Sequence, residues 1–301
     1  MAIQIKNILF KKGLSNEIEV ISIADTIAKH RNNITLPHRD SFYNIFWYQK
    51  GSATHFVDFK PIKVKPNSIL FVDKNRVQML DPKGGYDGKF LLFTDSFFDK
   101  QQDNGKYLRN NILFNDLLEE PLLSISNNSP IISVFHEIEL ELSRLNDTVQ
   151  YQLLHNLLHN LLLLAERERR KSGFIEIKKG EELDYTILFK NLLEDKFKTI
   201  KSVAAFAGLM AVSEKKLNKA TATTLGKSPK ELIDERVVLE AKRMLAHTHN
   251  SIKEIGFDLG FDEPTNFIKY FRKHEAKTPI EFRKLFSNAG IRWDKPYNLK
   301  R

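Results

Sequence analysis

The stretch SIKEIGFDLGFDEPTNFIKYFRKHEAKTPIEF, residues 251–282, decides the fold of the carboxy-terminal part of the chain. Ser251 followed by Glu254 forms a capping box, which predicts the start of a helix. Gly260 predicts its end, because glycine readily adopts the left-handed conformation of a C-terminal cap. Pro264 then predicts the first turn of a second helix. Two short helices joined by a tight glycine turn form a helix-turn-helix motif.

A second copy of this construction precedes the first, in SVAAFAGLMAVSEKKLNKATATTLGKSPKELI, residues 202–233. Both copies have an apolar helix, a short turn and a helix with outward lysines. Both also end in a [Ser/Thr]-Pro-x-Glu box that starts a further helix, at Ser228 and at Thr278. A chance repeat in a plain helical bundle is the alternative. Capping, turn, apolar and basic positions all recur in register, which favours two related motifs.

The segment between the copies, Pro229 to about Ala246, is predicted to be one helix. At about 1.5 Å per residue it is roughly 27 Å long. That length is near the ~34 Å between successive major-groove faces on one side of a duplex. The pattern therefore predicts two recognition helices that enter adjacent grooves of one DNA molecule.

The charge of the chain supports a nucleic-acid partner. Of the 301 residues, 184–301 hold 23 Lys and Arg against 15 Asp and Glu, so most of the net charge of +9 lies there. A basic domain beside a neutral one suits attraction to the phosphate backbone. A solvated basic surface is the alternative reading, and charge alone does not decide between the two.

Composition excludes several classes of site. The chain has no cysteine, which excludes disulfides, thiolate metal sites and a cysteine nucleophile. The longest apolar run, Val203–Val212, is too short for a membrane span of ~18 or more residues. The first 20 residues lack a signal-peptide core. We therefore expect a cytoplasmic protein without a cofactor.

Residues 1 to about 120 are predicted to be strands and turns that form a small antiparallel barrel or sandwich. The evidence is a series of short aromatic or alternating runs separated by Gly, Pro and Asn. Helical spacing of apolar residues then begins. The predicted strands are 41–49, 53–59, two within 61–73, and 89–94, and the predicted helices are 129–145 and 148–173.

The helix at 148–173 has a wide apolar face. Leu154, Leu157, Leu161 and Leu164 form one stripe at steps of three and four residues. This stripe predicts either a seam with a second subunit or core within one chain, and the sequence leaves both open. His155 and His159 lie at i and i+4 in the same helix. They could be a metal pair, but without a third ligand nearby we expect surface polar residues.

Residues 184 to about 285 resemble the DNA-binding domain of the AraC/XylS family of transcription regulators. The pattern IKEIGFDLGF…FIKYFRK…TPIEFR is close to the signature of that family and is a specific signal. The first 120 residues resemble the cupin-like effector domain of the same family. The resemblance implies an α+β multidomain protein. It would combine an antiparallel cupin-like β-barrel, a helical dimerisation segment and an all-α domain with two helix-turn-helix motifs joined by a linker helix.

The resemblance also implies which side chains contact DNA. In the family, a few outward side chains of each recognition helix enter the major groove. By motif position these are Lys215, Asn218 and Lys219 in the first helix. In the second helix they are Thr265, Asn266 and Lys269, with Lys273 one turn further along the same outward face.

The chain departs from the family pattern in three places. Lys219 and Lys269 stand where arginine is frequent, which removes the bidentate fork that reads guanine. The run 221–224, Thr-Ala-Thr-Thr, replaces a basic turn and removes candidate phosphate contacts. Ala276 stands where a capping glycine is usual. We therefore predict that the second motif contributes more to DNA affinity than the first.

The amino-terminal part shows no complete catalytic constellation. His38 and His55 are the histidines near a cupin-type position, and Gln78 stands where another ligand would fall. The ligand set does not close, so we expect pocket or surface residues and no metal. In the strand at 41–49, Tyr43 and Trp47 share a face that we predict looks into the barrel and contacts an effector. Ordinary barrel core is the alternative.

These observations predict a sequence-specific DNA-binding transcription regulator that is not an enzyme. We expect promoter DNA, a small-molecule effector, RNA polymerase and a second copy of the chain as partners. The alternatives are a metal-dependent cupin enzyme carrying a DNA-binding domain, and a regulator that does not respond to an effector. The predicted organisation is an effector domain at 1–122, a dimerisation segment at 123–170, a linker at 171–183, a DNA-binding domain at 184–290 and a basic tail at 291–301.

Overall fold

The computed structural model describes residues 5–11, 13, 16–98, 107–108, 111–114, 122–172 and 180–287. These residues fall into two compact units. The first comprises the described residues from 5 to 172 and contains all the described strands, and the second comprises the described residues from 180 to 287. The predicted basic tail at 291–301 lies outside the described residues.

The first unit contains two five-stranded sheets, ordered β1-β3-β8-β5-β6 and β10-β7-β4-β9-β2. Among the described strands no ladder joins the two sheets into a closed barrel, so the sandwich alternative matches this part of the chain. The strands are β1 Lys6–Ile8, β2 Ile18–Ser22, β3 His38–Asp40, β4 Tyr43–Lys50, β5 Ala53–Val57, β6 Lys60–Val64, β7 Ser68–Val72, β8 Val77–Met79, β9 Asp87–Phe93 and β10 Leu122–Ser124.

The five strands predicted from alternation are confirmed as β4, β5, β6, β7 and β9. The purely antiparallel arrangement is wrong in one place, because β1 pairs with β3 in parallel. The expectation that residues 1 to about 120 form only strands and turns is also wrong, since helix α1 (Ile23–Ile34) follows β2 directly. Ser22 caps this helix by accepting a hydrogen bond from the Asp25 amide.

Two apolar clusters lie on opposite faces of the sheet that contains β4. One cluster includes Phe46 and Tyr48 and packs against Ile62 and Val64 of the other sheet. The second cluster packs against helices α3 (Pro130–Leu142) and α4 (Gln150–Lys171), with Phe135 and Leu158 among its members. The first unit is therefore layered as sheet, sheet and helices. Its helices are α1 Ile23–Ile34, α2 Asp95–Phe98, α3 Pro130–Leu142 and α4 Gln150–Lys171.

The leucine stripe of α4 belongs partly to this core. Leu154 and Leu161 are fully buried, whereas Leu157 and Leu164 pack at its edge and are half-buried. The prediction that His155 is a surface residue is wrong. Its ring is buried beside Phe98, and its Nε2 lies 3.1 Å from the Phe98 carbonyl oxygen.

The second unit is entirely helical in the residues described. Its first helix begins inside the predicted linker at 171–183. The helices are α5 Glu181–Lys196, α6 Val203–Leu209, α7 Glu214–Leu225, α8 Pro229–His247, α9 Ile252–Asp258, α10 Pro264–Glu275 and α11 Pro279–Ser287. None of the described helices combines the length and the hydrophobicity that a membrane span requires.

Candidate nucleic-acid interface

The first helix-turn-helix unit consists of α6 and α7. The Ser213 hydroxyl accepts a hydrogen bond from the Lys216 amide at 3.2 Å and so begins α7. The two helices are held together by three buried side chains: Phe206 of α6, Met210 at the C-terminal end of α6, and Leu217 of α7. The turn passes through Ala211, whose φ of 53° lies in the left-handed region. The predicted elements of this unit are confirmed.

The second helix-turn-helix unit consists of α9 and α10. The predicted capping box is present, since Ser251 and Glu254 exchange hydrogen bonds. Gly260 has a φ of 75° in the turn. The Gly260 amide donates a hydrogen bond to the Phe257 carbonyl oxygen, with 2.8 Å between nitrogen and oxygen. Phe267 is fully buried on the inner face of α10. This unit also matches its prediction.

The side chains predicted to contact DNA lie on the outer faces of α7 and α10. Lys215, Asn218 and Lys219 form the α7 face, and Thr265, Asn266, Lys269 and Lys273 form the α10 face. All seven residues are exposed. Both faces carry hydrogen-bond donors and positive charge, the two properties that base edges and phosphates require.

Two lysines of the first helix-turn-helix unit, Lys216 and Lys219, have acidic partners on α5. Lys219 Nζ lies 2.8 Å from Glu182 Oε1, and Lys216 Nζ lies 2.6 Å from Glu181 Oε1. Hydrogen bonding to Glu181 raises the pKa of Lys216 to about 12. Within the described chain, Lys269 and Lys273 of the α10 face have no comparable acidic partner. Sequence reasoning did not anticipate this difference.

Helix α8 connects the two helix-turn-helix units. It spans 19 residues, which at about 1.5 Å each corresponds to roughly 28 Å. It begins at the predicted Ser228–Glu231 capping box, and the equivalent Thr278–Glu281 box begins α11. The prediction of one linker helix between two motifs is confirmed.

A polar cluster centred on Asp234 of α8 joins α8 to the second recognition helix. The Tyr270 hydroxyl of α10 donates a hydrogen bond to Asp234 Oδ1 at 2.7 Å. Lys230 Nζ lies 2.6 Å from the same oxygen, and His274 Nε2 lies 3.6 Å from Oδ2. Burial raises the pKa of the Tyr270 hydroxyl, and the bond to Asp234 adds to this effect. Because Asp234 is itself buried, the cluster fixes α10 against α8.

The threonine run at 221–224 divides between core and surface. Thr221 and Thr224 are buried, and the Thr224 hydroxyl lies 3.2 Å from that of Thr186 on α5. Ala222 and Thr223 are exposed. The run lies inside α7 and is helix, not the turn predicted there, and its exposed part carries no positive charge.

A protein-family model described as a helix-turn-helix domain matches residues 206–285, which begin in α6 and end in α11. The match covers the second helix-turn-helix unit and all but the first three residues of the first. The chain is a transcription regulator with an AraC-type helix-turn-helix domain. It acts through sequence-specific DNA binding by its carboxy-terminal unit.

Curated relatives of this regulator are bacterial. The uncharacterized HTH-type transcriptional regulator YfiF of Bacillus subtilis is 20% identical over 85% of this chain and 81% of its own length. The lactose operon transcription activator of Staphylococcus xylosus is 24% identical over 61% of this chain and 66% of its own. A solved structure of ToxT from Vibrio cholerae is 16% identical over 90% of this chain and 100% of that chain, with a TM-score of 0.45.

The orientation predicted for Tyr43 and Trp47 of the regulator is wrong. Both side chains are buried in the cluster between the β4 sheet and helices α3 and α4, not between the two sheets. The Trp47 ring lies 5.3 Å from that of Phe135, and its Nε1 is buried without a hydrogen-bond partner. The Tyr43 hydroxyl donates to Asp95 Oδ1 at 3.2 Å.

The space between the two sheets holds a buried polar chain instead. The Tyr48 hydroxyl lies 2.7 Å from His55 Nδ1, and His55 Nε2 lies 3.0 Å from Gln78 Oε1. Gln78 and Asn44 both donate to Asp40 Oδ2. Burial lowers the pKa of His55 to about 3 and raises that of Asp40.

The second oxygen of Asp40, Oδ1, is buried without a hydrogen-bond partner. His38 is buried next to it, with its Nε2 3.9 Å from Asp40 Oδ2. The Nδ1 of His38 lies 2.9 Å from the Leu36 carbonyl oxygen. His38 and His55 are thus buried and hydrogen-bonded, not surface residues. Among the described residues, no group of three or more His, Asp or Glu side chains is placed to hold a metal ion.

Proposed function

We propose that this regulator binds promoter DNA with the α7 face and the α10 face in two adjacent major grooves. The single observation that carries the proposal is that both recognition helices expose their polar faces while α8 lies between the two helix-turn-helix units. Phosphate contacts from the lysines supply affinity, and Asn218 and Asn266 can each donate to and accept from a base edge. The binding takes place in the cytoplasm.

Selection of bound fragments from genomic DNA tests the proposal. We expect direct half-sites, each spanning two adjacent major grooves, and a steep fall of affinity with salt because several lysines contact phosphates. Fragments with no shared sequence, or with a shared element confined to one groove, would contradict two-groove reading. Genes beside the recovered sites would also indicate which metabolites to test as effectors.

We also propose that the predicted effector domain, residues 1–122, binds a small molecule and that binding changes promoter occupancy. Two places in the described residues support an effector. Trp47 has a buried indole donor and Asp40 a buried carboxylate oxygen, each without a partner. A buried unpaired polar group is unfavourable until a partner arrives, so a ligand with a complementary group gains from binding there.

Tryptophan emission can separate these two places. In a Trp293→Phe background Trp47 is the remaining tryptophan, because the chain has two. A metabolite that contacts Trp47 should change its emission and raise the melting temperature, and Trp47→Phe should weaken binding. A ligand held by Asp40 should instead lose affinity in Asp40→Asn while Trp47→Phe leaves binding unchanged. If no metabolite linked to the recovered genes raises the melting temperature, the regulator without an effector is the better description.

We further propose a homodimer formed through α4, within the predicted dimerisation segment 123–170. Leu153 is 42% exposed and Leu163 47% exposed, on the side of α4 that does not face its own core. Exposed leucines on one side of a long helix suit a subunit seam. Leu153→Glu with Leu163→Glu should shift the protein to monomer in sedimentation velocity. Leu188→Glu in α5, which is exposed to a similar degree, should not.

The remaining parts of the proposal are the boundaries and the protein partner. We place the linker at 171–183, whose last three residues already belong to α5, and the DNA-binding domain at 184–290. We also propose that the regulator contacts RNA polymerase once it occupies a promoter. Support comes from the match at 206–285 and from relatives described as transcription activators. In vitro transcription from a recovered promoter, with and without the regulator, tests whether polymerase recruitment changes.

A further inference from the structure

The first turn of α5 lies against the first recognition helix. Glu181 and Glu182 open α5, and their carboxylates contact Lys216 and Lys219 at 2.6 and 2.8 Å. The contacts are made across 35 and 37 residues of sequence. They are therefore tertiary contacts rather than neighbours on one helix.

The Glu181 contact is reinforced by an aromatic ring. The Tyr185 hydroxyl donates to Glu181 Oε1 at 3.1 Å, and Lys216 Nζ lies 4.5 Å from the centre of the Tyr185 ring. The ammonium group of Lys216 is thus held by a carboxylate and a π face together. Both carboxylates have lowered pKa values, chiefly through their hydrogen bonds to the lysines. The pairs are charged at neutral pH.

A lysine cannot hold a carboxylate and a DNA phosphate in the same geometry. Lys219 belongs to the α7 face, and Lys216 is beside it with 41% of its side chain exposed. DNA that approaches α7 must therefore break these ion pairs. Its phosphates then lie beside the negative carboxylates of Glu181 and Glu182. Surface ion pairs are individually weak, so the effect is a moderate reduction of affinity rather than a block.

We propose that Glu181 and Glu182 compete with DNA for Lys216 and Lys219, and so set the affinity of the first helix-turn-helix unit. The proposal rests on the proposed DNA contact of the α7 face. It makes the two glutamates determinants of how strongly the first half of each DNA site is read. The α10 face lacks such a competitor within the described chain.

Removing the two carboxylates tests the proposal in the full chain. The probe is a fluorescein-labelled duplex recovered from random-sequence DNA by the wild-type protein, and binding is followed by anisotropy. E181Q/E182Q should bind about threefold to tenfold more tightly, since each exposed pair opposes binding by a small factor. Its affinity should also fall more steeply with salt, because newly available lysines contact phosphates.

A matched control distinguishes the effect of losing the two ion pairs from the effect of losing two negative charges. Asp184→Asn with Glu194→Gln removes two carboxylates from the same helix, and Asp184 lies in the same first turn. Glu194 pairs with Arg236 of α8, not with α7. This control should stay within about twofold of wild type after allowance for bulk charge. If both double variants change affinity by the same factor, or if E181Q/E182Q does not tighten binding, the proposal is wrong.

Lysine substitutions distinguish the two possible failures. K216A/K219A should weaken binding more in the E181Q/E182Q background than in wild type. An equal, measurable loss in both backgrounds would overturn the competition while leaving DNA contact by α7 intact. No loss in either background would overturn the DNA contact itself and the competition with it. Circular dichroism of every variant checks that the unit stays folded.

Discussion

The two helix-turn-helix units exchange the positions of one glycine and one alanine. In the first unit the left-handed residue of the turn is Ala211, and the residue that ends α7 is Gly226. In the second unit the turn has Gly260, and Ala276 ends α10. All four have positive φ, between 53° and 75°. The backbone conformation is therefore common to both units, but the residue that adopts it is not.

The space around each position explains the choice. A Cβ on Gly260 would lie 1.8 Å from the carbonyl oxygen of Lys198, which no side chain can tolerate. A Cβ on Gly226 would meet nothing within 4 Å. Left-handed backbone alone disfavours alanine by about 1–2 kcal/mol, and a well-packed unit can absorb that. Only close approach of another backbone makes glycine indispensable.

The largest expected effect comes from adding a methyl group at these glycines. Gly260→Ala should destabilise the carboxy-terminal unit by about 3 kcal/mol or more, because backbone overlap adds to the conformational penalty. Gly226→Ala should lower stability by about 1 kcal/mol, since only the penalty applies. Urea unfolding followed by circular dichroism measures both. Equal losses would show that the contact with Lys198 does not matter.

The second difference concerns DNA affinity. Lys269→Ala should weaken binding to a selected site about tenfold or more, as expected for a recognition contact. Lys219→Ala should weaken it only a few-fold, because Lys219 must first leave Glu182 to reach DNA. Anisotropy titrations at one salt concentration compare them, with Lys63→Ala on β6 as a charge-matched control. Equal losses for Lys219 and Lys269 would remove the asymmetry between the units.

A third comparison uses two tyrosines, Tyr185 of α5 beside the first recognition helix and Tyr270 of the second recognition helix. Tyr270→Phe should lower stability by about 1 kcal/mol, because it removes a hydrogen bond to the buried Asp234. Tyr185→Phe should change stability little, since its partner Glu181 is exposed. Melting temperatures of the two variants give the comparison. A larger loss for Tyr185→Phe would indicate that the α5 contact, not the Asp234 cluster, holds the helices.

The smallest effects on stability should come from replacing the two alanines that have positive φ. Ala211→Gly and Ala276→Gly should each stabilise the unit by about 0.5 kcal/mol, the left-handed penalty less the added freedom of the unfolded chain. Ala222→Gly, at an exposed position inside α7, should instead destabilise by about 1 kcal/mol. Chemical unfolding at matched protein concentration resolves the signs. Destabilisation by all three would show that the positive φ of the alanines carries no strain.

The helix-turn-helix units could be predicted because their signals are local. Each capping box joins residues three apart, such as Ser251 and Glu254, and Gly260 and Pro264 mark the turn between two helices. Such features depend on a few neighbouring residues. The family pattern then located the outward residues of α7 and α10, and all of them are exposed.

Features that depend on distant parts of the chain escaped prediction. Lys219 and Glu182 are 37 residues apart, and no periodicity connects them. Both faces of β4 are apolar, so alternation could not decide whether Tyr43 or Phe46 lies between the sheets. The burial of His155 depends on Phe98, which is far away in sequence. Helix α1 carried a usable signal, Ser22 followed by Asp25, but the surrounding strands masked it.

The length of α8 has a consequence for the DNA itself. If its roughly 28 Å sets the separation of α7 and α10, the two helices are closer than the ~34 Å repeat of a straight duplex. Full insertion of both then favours a duplex that curves toward the protein and narrows between the two contacts. Base pairs in that interval would influence selectivity through how easily they deform, although no side chain touches them.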